Sequence, residues 1–265
     1  MVGKWVRLRF DDGSTGRHKV KAEVVVGDRV WLEDDVVVDF APRRTELRRG
    51  GNSGVRVVCA NADLLVVVTA TQEPPFRPGL VDRMLVAAGA GGMEAAIVLN
   101  KCDTGMPSEV LDRVARYEAL GYPCFLVSAA QKKGLDPLVA ALTGRTSVLA
   151  GHSGVGKSSL LRALVPGTER EVTQLDEWGR GRHTTTAACR FDLPGGGHVV
   201  DLPGIREYGI EFVLKEELRT HFPELAKLRC RYADCLHDGE DGCLADGEIE
   251  EGRLESYRKL LEELA

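Results

Sequence analysis

The sequence predicts an α/β protein with a small all-β module before the main domain and a helical, cysteine-rich module after it. Three observations lead to this prediction. Residues 55–210 alternate apolar, β-branched runs with helical patterns, residues 1–50 carry closely spaced strand signals, and residues 211–265 are helical with three clustered cysteines. Apolar strands separated by helices are typical of a parallel sheet that is covered on both faces.

The N-terminal module is predicted from short strand signals that are separated by turns. Val24–Val26, Arg29–Glu33 and Val36–Val38 follow one another with only two residues between neighbouring runs. Strand signals this closely spaced favour a small barrel or sandwich. Gly50–Gly54 is predicted to be a flexible joint to the next domain.

The central sheet is predicted from five apolar runs: Leu64–Thr69, Ala96–Leu99, Cys124–Val127, Ser147–Leu149 and His198–Val200. Helical patterns lie between most of them, for example Glu109–Leu120, which Gly121 closes. Four of the five runs are followed directly by a candidate binding motif. Because ligands of open parallel sheets bind beyond the carboxyl ends of the strands, we expect the four motifs to meet at one edge.

A phosphate-binding loop is the most specific of these motifs. Residues 151–158 fit the pattern G-x-x-x-x-G-K-[ST] without a mismatch. Backbone N–H groups of such a loop face phosphates, Lys157 adds positive charge, and the Ser158 hydroxyl is the candidate Mg²⁺ ligand. A chance glycine-rich turn is the alternative, and the strand before and the helix after the motif argue against it. The candidate phosphate contacts are Gly151, His152, Ser153, Gly154, Val155, Gly156, Lys157, Ser158 and Ser159.

The nucleotide base is predicted from Asn100–Asp103, an Asn-Lys-x-Asp motif. A carboxylate at Asp103 can accept from both N1–H and the 2-amino group of guanine, and adenine would leave it unpaired at a cost of roughly 1–3 kcal/mol or more. The Lys101 stem can cover the ring, and the Ala129 amide, after Ser128, is expected to face guanine O6. By itself the motif equally fits a charged turn between a strand and a helix. Its position after one strand, with Ser128 after the next, favours guanine.

The order of the two motifs is unusual, because the base motif lies 51 residues before the phosphate loop (Asn100 to Gly151). In ordinary GTPases the phosphate loop comes first. The site must therefore be assembled from a rearranged chain order.

Residues for the metal and for catalysis are predicted further along the chain. Asp201 begins Asp-Leu-Pro-Gly and is the candidate second carboxylate on the metal side, with the Gly204 amide toward the γ-phosphate. Thr185 is the candidate threonine that closes over Mg²⁺. Ile205 occupies the position of the water-orienting glutamine of Ras-type enzymes, which predicts slow intrinsic hydrolysis. His183 is the candidate replacement, and its alternative role is a contact to backbone, RNA or solvent.

The clustered cysteines predict a metal site. Cys230, Cys235, His237 and Cys243 can supply four ligands to a closed, tetrahedral, structural Zn²⁺ site. A dication would offset the acidic residues around the thiolates. Surface thiols in an acidic turn are the alternative.

Together these residues resemble the RsgA (YjeQ) family of circularly permuted, small-ribosomal-subunit-dependent GTPases. The residues that carry the resemblance are Gly27–Val30 and Pro42–Thr45, like the end of an OB-fold, with Asn100–Asp103, Gly151–Ser159, Gly181–Thr186 and the Cys230–Cys243 zinc knuckle. The chain departs from the family in a shortened first strand region and in His152, where glutamine is common.

The resemblance implies a circularly permuted P-loop GTPase domain at 55–210, an OB-like small β-barrel at 1–50 and a helical zinc-binding module at 211–265. It also implies GTP hydrolysis stimulated by the small ribosomal subunit, in late maturation of that subunit. The candidate catalytic residues are Lys157, Thr185 and His183. The implied ligands are GTP or GDP with Mg²⁺, one structural Zn²⁺ per chain, and ribosomal RNA.

Composition limits the remaining possibilities. A net charge of −5 argues against a uniformly basic nucleic-acid binder, so RNA contacts are expected from a local patch such as Pro42–Arg49, which carries four arginines. Scattered cysteines predict a cytoplasmic protein, and short apolar runs predict that it does not enter a membrane. The protein is also expected to be a monomer. Two alternatives stay open from the residues alone, a P-loop ATPase or kinase with an accidental base motif, and an RNA adaptor with an inactive nucleotide site.

Overall fold

A computed structural model describes residues 4–50, 54–167, 188–202 and 209–264, and its N-terminal part is an all-β module. Four strands form one sheet in the order β1-β2-β4-β3, and Val37 is fully buried beneath it. β1 and β2, of six residues each, form an antiparallel hairpin. This hairpin is the first strand region, which the sequence predicted to be shortened. The strands are β1 (Lys4–Arg9), β2 (Thr15–Val20), β3 (Val30–Glu33) and β4 (Val36–Phe40).

Val24–Val26, predicted as a strand, instead forms an irregular connection. Only Val26 makes a β-bridge, with Cys59. Asp28 bends the segment, because its carboxylate accepts a hydrogen bond from the backbone N–H of Val25 at 2.8 Å. Gly27, at φ +92°, lies so close to Ala60 that a Cβ atom would come within 1.9 Å of the Ala60 carbonyl oxygen. The Asp28 side chain and the close packing of Gly27 on Ala60 therefore override the local preference for a strand. Strand periodicity reveals neither contact.

The predicted joint at Gly50–Gly54 connects the two strands of one hairpin. β5 (Glu46–Arg49) pairs antiparallel with β6 (Arg56–Ala60), so the predicted joint lies between two paired strands. The backbone N–H of Gly50 donates to the Gly209 carbonyl at 3.1 Å. The domain limits 1–50, 55–210 and 211–265 stay predictions.

The central sheet has six strands in the order β11-β12-β10-β7-β8-β9. The five predicted strands are all present and run parallel to one another. The sixth, β11, was not predicted and pairs antiparallel with β12 at the edge. The strands are β7 (Leu64–Ala70), β8 (Glu94–Asn100), β9 (Cys124–Leu126), β10 (Thr146–Ala150), β11 (Cys189–Asp192) and β12 (His198–Asp201).

Helices cover both faces of this sheet, as its apolar strands predict. Every residue of β7 is buried, and alternate residues belong to two separate cores. Side chains of α1 (Pro78–Ala90) and α2 (Ser108–Ala119) join one core. Side chains of α3 (Leu135–Leu142) and α4 (Lys157–Leu164) join the other. The predicted helix at 109–120 corresponds to α2.

The C-terminal part packs against α1 through a third core. The structure gives it the short helices α5 (Pro223–Ala226) and α6 (Ala245–Glu248) and the longer α7 (Glu251–Glu263). Short 3₁₀ turns lie at 102–104 and 218–221. The last helix packs by one apolar face, because Leu254, Tyr257, Leu260 and Leu261 are buried in this core. Among the helices that the structure describes, none is both long enough and apolar enough to span a bilayer.

Candidate nucleotide site and metal centre

The motifs that follow four parallel strands are brought to one edge of the central sheet. Asn100 ends β8, Gly151 follows β10, Asp201 ends β12, and Ser128 lies two residues beyond β9. Since these strands run in the same direction, their carboxyl ends share an edge. Parallel topology thus places residues that are up to 101 positions apart (Asn100 to Asp201) on the same side of the molecule.

The Asn100 side chain joins three of these segments. It is 2% exposed, and its Nδ2 donates to the Val155 carbonyl of the phosphate loop at 2.9 Å. Its Oδ1 accepts from the Ala129 N–H at 3.0 Å. Gly156, at φ +93°, makes room for this, because a Cβ there would come within 2.4 Å of Asn100 Nδ2. One buried amide therefore fixes the base motif against the phosphate loop.

The segment after β9 is a tight turn. Ser128 and Lys133 exchange two backbone hydrogen bonds of 3.0 Å, and Ser128 Oγ accepts from the Gln131 N–H at 3.1 Å. The Ala129 N–H, which the sequence assigns to guanine O6, donates to Asn100 here. That hydrogen bond places the Ala129 amide beside the base motif, and its contact with O6 stays a prediction.

The base motif continues into an exposed turn. Lys101 adopts a left-handed backbone conformation, with φ +64°, and Asp103 follows in a 3₁₀ turn with its side chain exposed. Lys101 Nζ donates to the Glu73 carbonyl at 2.5 Å. The structure therefore presents the Asp103 carboxylate at the surface of the sheet edge, where a base can reach it.

The phosphate loop is closed around Lys157, the first residue of α4. Lys157 Nζ donates to the carbonyls of Gly151 at 2.7 Å and His152 at 3.1 Å. Burial lowers the pKa of Lys157, and the Asp201 carboxylate opposes this shift. Gly151 packs against β7, since a Cβ there would lie 2.1 Å from the Val68 carbonyl oxygen. The loop thus carries a half-buried cation, which suits a polyanionic ligand, and the nearby Asp201 carboxylate suits a metal ion beside that ligand.

His152, the departure from the family pattern, faces its own loop: His152 Nδ1 lies 2.8 Å from the Ser153 carbonyl oxygen. Four other predicted residues, His183, Thr185, Gly204 and Ile205, lie outside the described residues. Their roles stay predictions.

The metal-site prediction is matched by a compact cluster. One ligand atom from each of Cys230, Cys235, His237 and Cys243 lies within 4.8 Å of all the others. His237 Nδ1 is 3.5 Å from Cys230 Sγ and 3.6 Å from the sulfurs of Cys235 and Cys243. Without a metal, burial raises the pKa of Cys235 to about 12. These four residues can hold a metal ion, and a cation is what would keep such a buried thiol ionised.

The acidic residues around this cluster are partly engaged in hydrogen bonds. Glu240 accepts from the backbone N–H groups of Leu236 at 2.6 Å and Asp238 at 2.7 Å. Asp241 pairs with Arg231 at 2.7 Å. Glu240 therefore shapes the loop that carries His237, in addition to contributing the negative charge that the sequence indicated.

Three of the four arginines in Pro42–Arg49 make ion pairs within the fold, and the role of this segment as an RNA patch stays a prediction. Arg43 is a nearly buried, bidentate partner of Asp28, at 2.8 and 2.9 Å. Arg44 pairs with Asp63, and Arg48 pairs with Glu46 at 2.8 Å. Local charge density could not distinguish cations that are paired within the fold from cations that are available to a partner.

The β1–β2 hairpin carries an exposed basic–aromatic strip, which consists of Trp5, Arg7, Arg17 and Lys19. Trp5 is paired across the hairpin with Lys19, and Arg7 with Arg17, so all four share one face. Trp5 is 47% exposed, with the Arg17 guanidinium 5.0 Å and the Lys19 ammonium 5.7 Å from its ring centre. The alternation Trp5-x-Arg7 and Arg17-x-Lys19 was the sequence signal that could have found it.

Comparison with known proteins agrees with this arrangement. The model of the RsgA GTPase family matches residues 40–211. The chain belongs to the RsgA GTPase family. A relative from Gemmatimonas aurantiaca, named small ribosomal subunit biogenesis GTPase RsgA, is 40% identical over 97% of this chain and 91% of its own length. A relative of the same name from Azotobacter vinelandii is 43% identical over 91% of this chain and 75% of its own.

Solved structures show the same fold. YjeQ from Thermotoga maritima superposes with a TM-score of 0.77 at 31% identity, covering 98% of this chain and 94% of its own. YloQ, described as a circularly permuted GTPase, superposes with a TM-score of 0.72 at 23% identity, covering 100% and 92%. This RsgA-family chain is therefore a GTPase with the permuted fold, and neither the ATPase nor the inactive-adaptor alternative fits its family.

Proposed function

We propose that this chain is a GTP-hydrolysing switch that acts in late maturation of the small ribosomal subunit. The observation that carries the proposal is the Asn100 side chain, which hydrogen-bonds the base motif to the phosphate loop and to the segment after β9. The two relatives are named for biogenesis of the small ribosomal subunit and are 40–43% identical over most of this chain, which supports the subunit as the partner. We further propose that the protein works as a cytoplasmic monomer.

In this proposal Asp103 accepts from guanine, and Lys157 and the loop amides bind the β- and γ-phosphates. Mg²⁺, held by Ser158 and supported by Asp201, would neutralise charge on the phosphate oxygens. Water attacks the γ-phosphorus, the bond to the β–γ bridging oxygen breaks, and GDP and phosphate are released. Gly204 and Thr185 are assigned to the γ-phosphate and the metal.

Intrinsic turnover is proposed to be slow, with stimulation by the small subunit. Ile205 cannot hydrogen-bond the attacking water, and catalysis in this reaction class depends on positioning and electrostatic stabilisation. We assign the missing polar contact to His183, and its productive placement to the subunit.

The metal is proposed to be a single structural Zn²⁺. Tetrahedral bonds of 2.3 Å to sulfur and 2.0–2.1 Å to nitrogen separate the nitrogen from each sulfur by about 3.6 Å. The three separations from His237 Nδ1, 3.5 to 3.6 Å, agree with that geometry. Three cysteines and one histidine fill all four positions, so the ion would stabilise the module without binding substrate.

Ribosomal RNA is proposed to bind the basic–aromatic strip. An exposed indole flanked by cations can stack on an unpaired base while the cations contact phosphates, and base stacking of this kind contributes about 1–3 kcal/mol. The segment 42–49 stays a candidate for a second contact, and Arg43, Arg44 and Arg48 in it are also paired within the fold.

The experiment that tests the function measures GTP turnover with and without purified small ribosomal subunits. We expect slow turnover alone and a large stimulation by subunits, and equal rates under both conditions would contradict the switch. The base assignment is tested in parallel with Asp103→Asn, which should weaken GTP by about 10- to 150-fold, since it removes hydrogen bonds to a charged group.

Two comparisons make the base test specific. Asp103→Asn should gain affinity for xanthosine triphosphate, because the new amide N–H can donate to the carbonyl at position 2 of xanthine. Asp136→Asn, an exposed acidic residue in the first turn of α3, is the matched control and should bind both nucleotides like the unmodified protein. Unchanged GTP affinity in Asp103→Asn would show that Asp103 does not read the base.

A further inference from the structure

A three-residue segment outside every recognised motif contacts the base-reading turn at each of its positions. We call Thr71–Glu73, which directly follows β7, the brace. Thr71 Oγ1 donates to the Lys101 carbonyl at 3.2 Å and lies 3.3 Å from Thr104 Oγ1. Gln72 Nε2 donates to the Thr104 carbonyl at 3.2 Å. The Glu73 carbonyl accepts from Lys101 Nζ at 2.5 Å.

These contacts converge on the residues that determine where Asp103 lies. Lys101 is a non-glycine residue at φ +64°, ψ +31°, a conformation that persists only when its surroundings fix it. Its carbonyl accepts from the hydroxyls of Thr71 and Thr104, at 3.2 and 2.9 Å, and from the Thr104 N–H at 3.0 Å. The strained residue is therefore held from both sides, and Asp103 lies between it and Thr104.

Thr71 is the member of the brace that the fold fixes most firmly. It is 2% exposed, and its N–H donates to the Asn100 carbonyl at 3.3 Å. It follows β7, whose neighbours in the sheet are β8 and β10, the strands that carry the base motif and the phosphate loop. Gln72 is exposed and packs closely on Gly105, where a Cβ would come within 2.6 Å of Gln72 Nε2.

We propose that Thr71 is a positioning residue for guanine recognition, acting through the Lys101 backbone to place the Asp103 carboxylate. Gln72 and the Glu73 carbonyl assist it. The inference rests on the proposed role of Asp103 as the base reader. Thr71 touches the turn that holds the carboxylate, so its effect should appear in selectivity for the base more than in binding of phosphates.

The test compares dissociation constants for GDP and IDP in the full-length protein. IDP differs from GDP only in lacking the 2-amino group on the base. The ratio of the two dissociation constants therefore reports the hydrogen bond from that group to Asp103. Thr71→Val keeps the shape of the side chain and removes the hydroxyl. It should raise the dissociation constant for GDP about fivefold, the usual effect of one hydrogen bond. The dissociation constant for IDP should rise less. Thr71→Ser keeps a hydroxyl and should restore the GDP-to-IDP ratio of the unmodified protein.

Controls separate positioning from general damage. Thr143→Val removes an exposed hydroxyl that bonds to Val139 at the end of α3, and it should leave both constants unchanged. Thr104→Val removes the second hydroxyl on the Lys101 carbonyl from an exposed position, and it should shift the ratio in the same direction as Thr71→Val. If Thr71→Val does not fold, Thr104→Val serves as the test variant.

The outcomes distinguish the inference from the proposed function. If Asp103→Asn leaves the GDP-to-IDP ratio unchanged, the base reader is wrong and the inference fails with it. If Asp103→Asn collapses the ratio while Thr71→Val and Thr104→Val retain it, only the inference is overturned. Equal weakening of GDP and IDP in both threonine variants would also overturn it, since that result indicates a purely structural role.

Discussion

Replacing Arg253 with methionine should destabilise the protein more than removal of any surface ion pair. Arg253 on α7 is 5% exposed, and it donates to the buried Asp82 carboxylate on α1 and to Glu224 at 2.7 Å. Its guanidinium lies 4.5 Å from the Phe222 ring, and Tyr117 of α2 donates to Asp82 at 2.6 Å. Removing one partner of a buried pair leaves an uncompensated charge, at a cost of about 3–5 kcal/mol.

The loss should depend on pH in a defined direction. Burial raises the pKa of Asp82, and the positive charge of Arg253 opposes that shift. In Arg253→Met the opposition is gone, so the pKa of Asp82 in the folded state rises further above the unfolded value of about 3.9. The contribution of this group to stability is then fully present below about pH 4 and is lost as pH rises toward the raised pKa. The slope approaches about 1.4 kcal/mol per pH unit.

Urea unfolding at pH 5 and pH 8 measures both effects. Arg145→Met is the matched control, because Arg145 pairs with Glu94 at the exposed surface and should cost at most about 1 kcal/mol. Asp82→Asn combined with Arg253→Met should recover part of the loss, since the buried charge is then gone. A loss below about 1 kcal/mol for Arg253→Met, or the same loss at both pH values, would refute the reasoning.

Two further predictions concern the nucleotide loop and the metal centre. Gly156→Ala should reduce GDP binding more than tenfold, because the new Cβ would meet Asn100 Nδ2 at 2.4 Å; Gly121→Ala, with a similar φ of +96° and open space around it, is the control in the same binding assay. Cys243→Ser should lower bound zinc from one per chain to none by elemental analysis and raise hydrogen exchange in residues 228–245, whereas Cys124→Ser should retain the ion.

The parallel sheet could be predicted because its strands are locally encoded. Each of the five runs is apolar and β-branched, and each is followed by a turn or motif that ends it. β11 was missed because its four residues, Cys189–Asp192, alternate weakly and are stabilised by antiparallel pairing with β12. An edge strand of this kind depends on a neighbour that local periodicity does not reveal.

The candidate site was predictable as a set of motifs and not as a set of contacts. The sequence identified Asn100 and the phosphate loop, but the hydrogen bond from Asn100 to Val155 joins residues 55 positions apart. Thr71 belongs to no motif, and only the left-handed turn at Lys101 explains why a hydroxyl is useful there. Contacts of this kind depend on the arrangement of strands in space, which the motifs constrain without specifying.

Both the N-terminal all-β part and the C-terminal helices make direct contacts with the α/β part of the chain. Arg9, at the end of the strand that carries Trp5 and Arg7, pairs with Asp192 on β11, which begins shortly after the predicted Gly181–Thr186 switch. Gly50 bonds to Gly209, five residues beyond Gly204. α7 is fixed to α1 through the buried Arg253 pair. The Arg9–Asp192 pair gives a partner that binds the strip a direct physical connection to the central sheet.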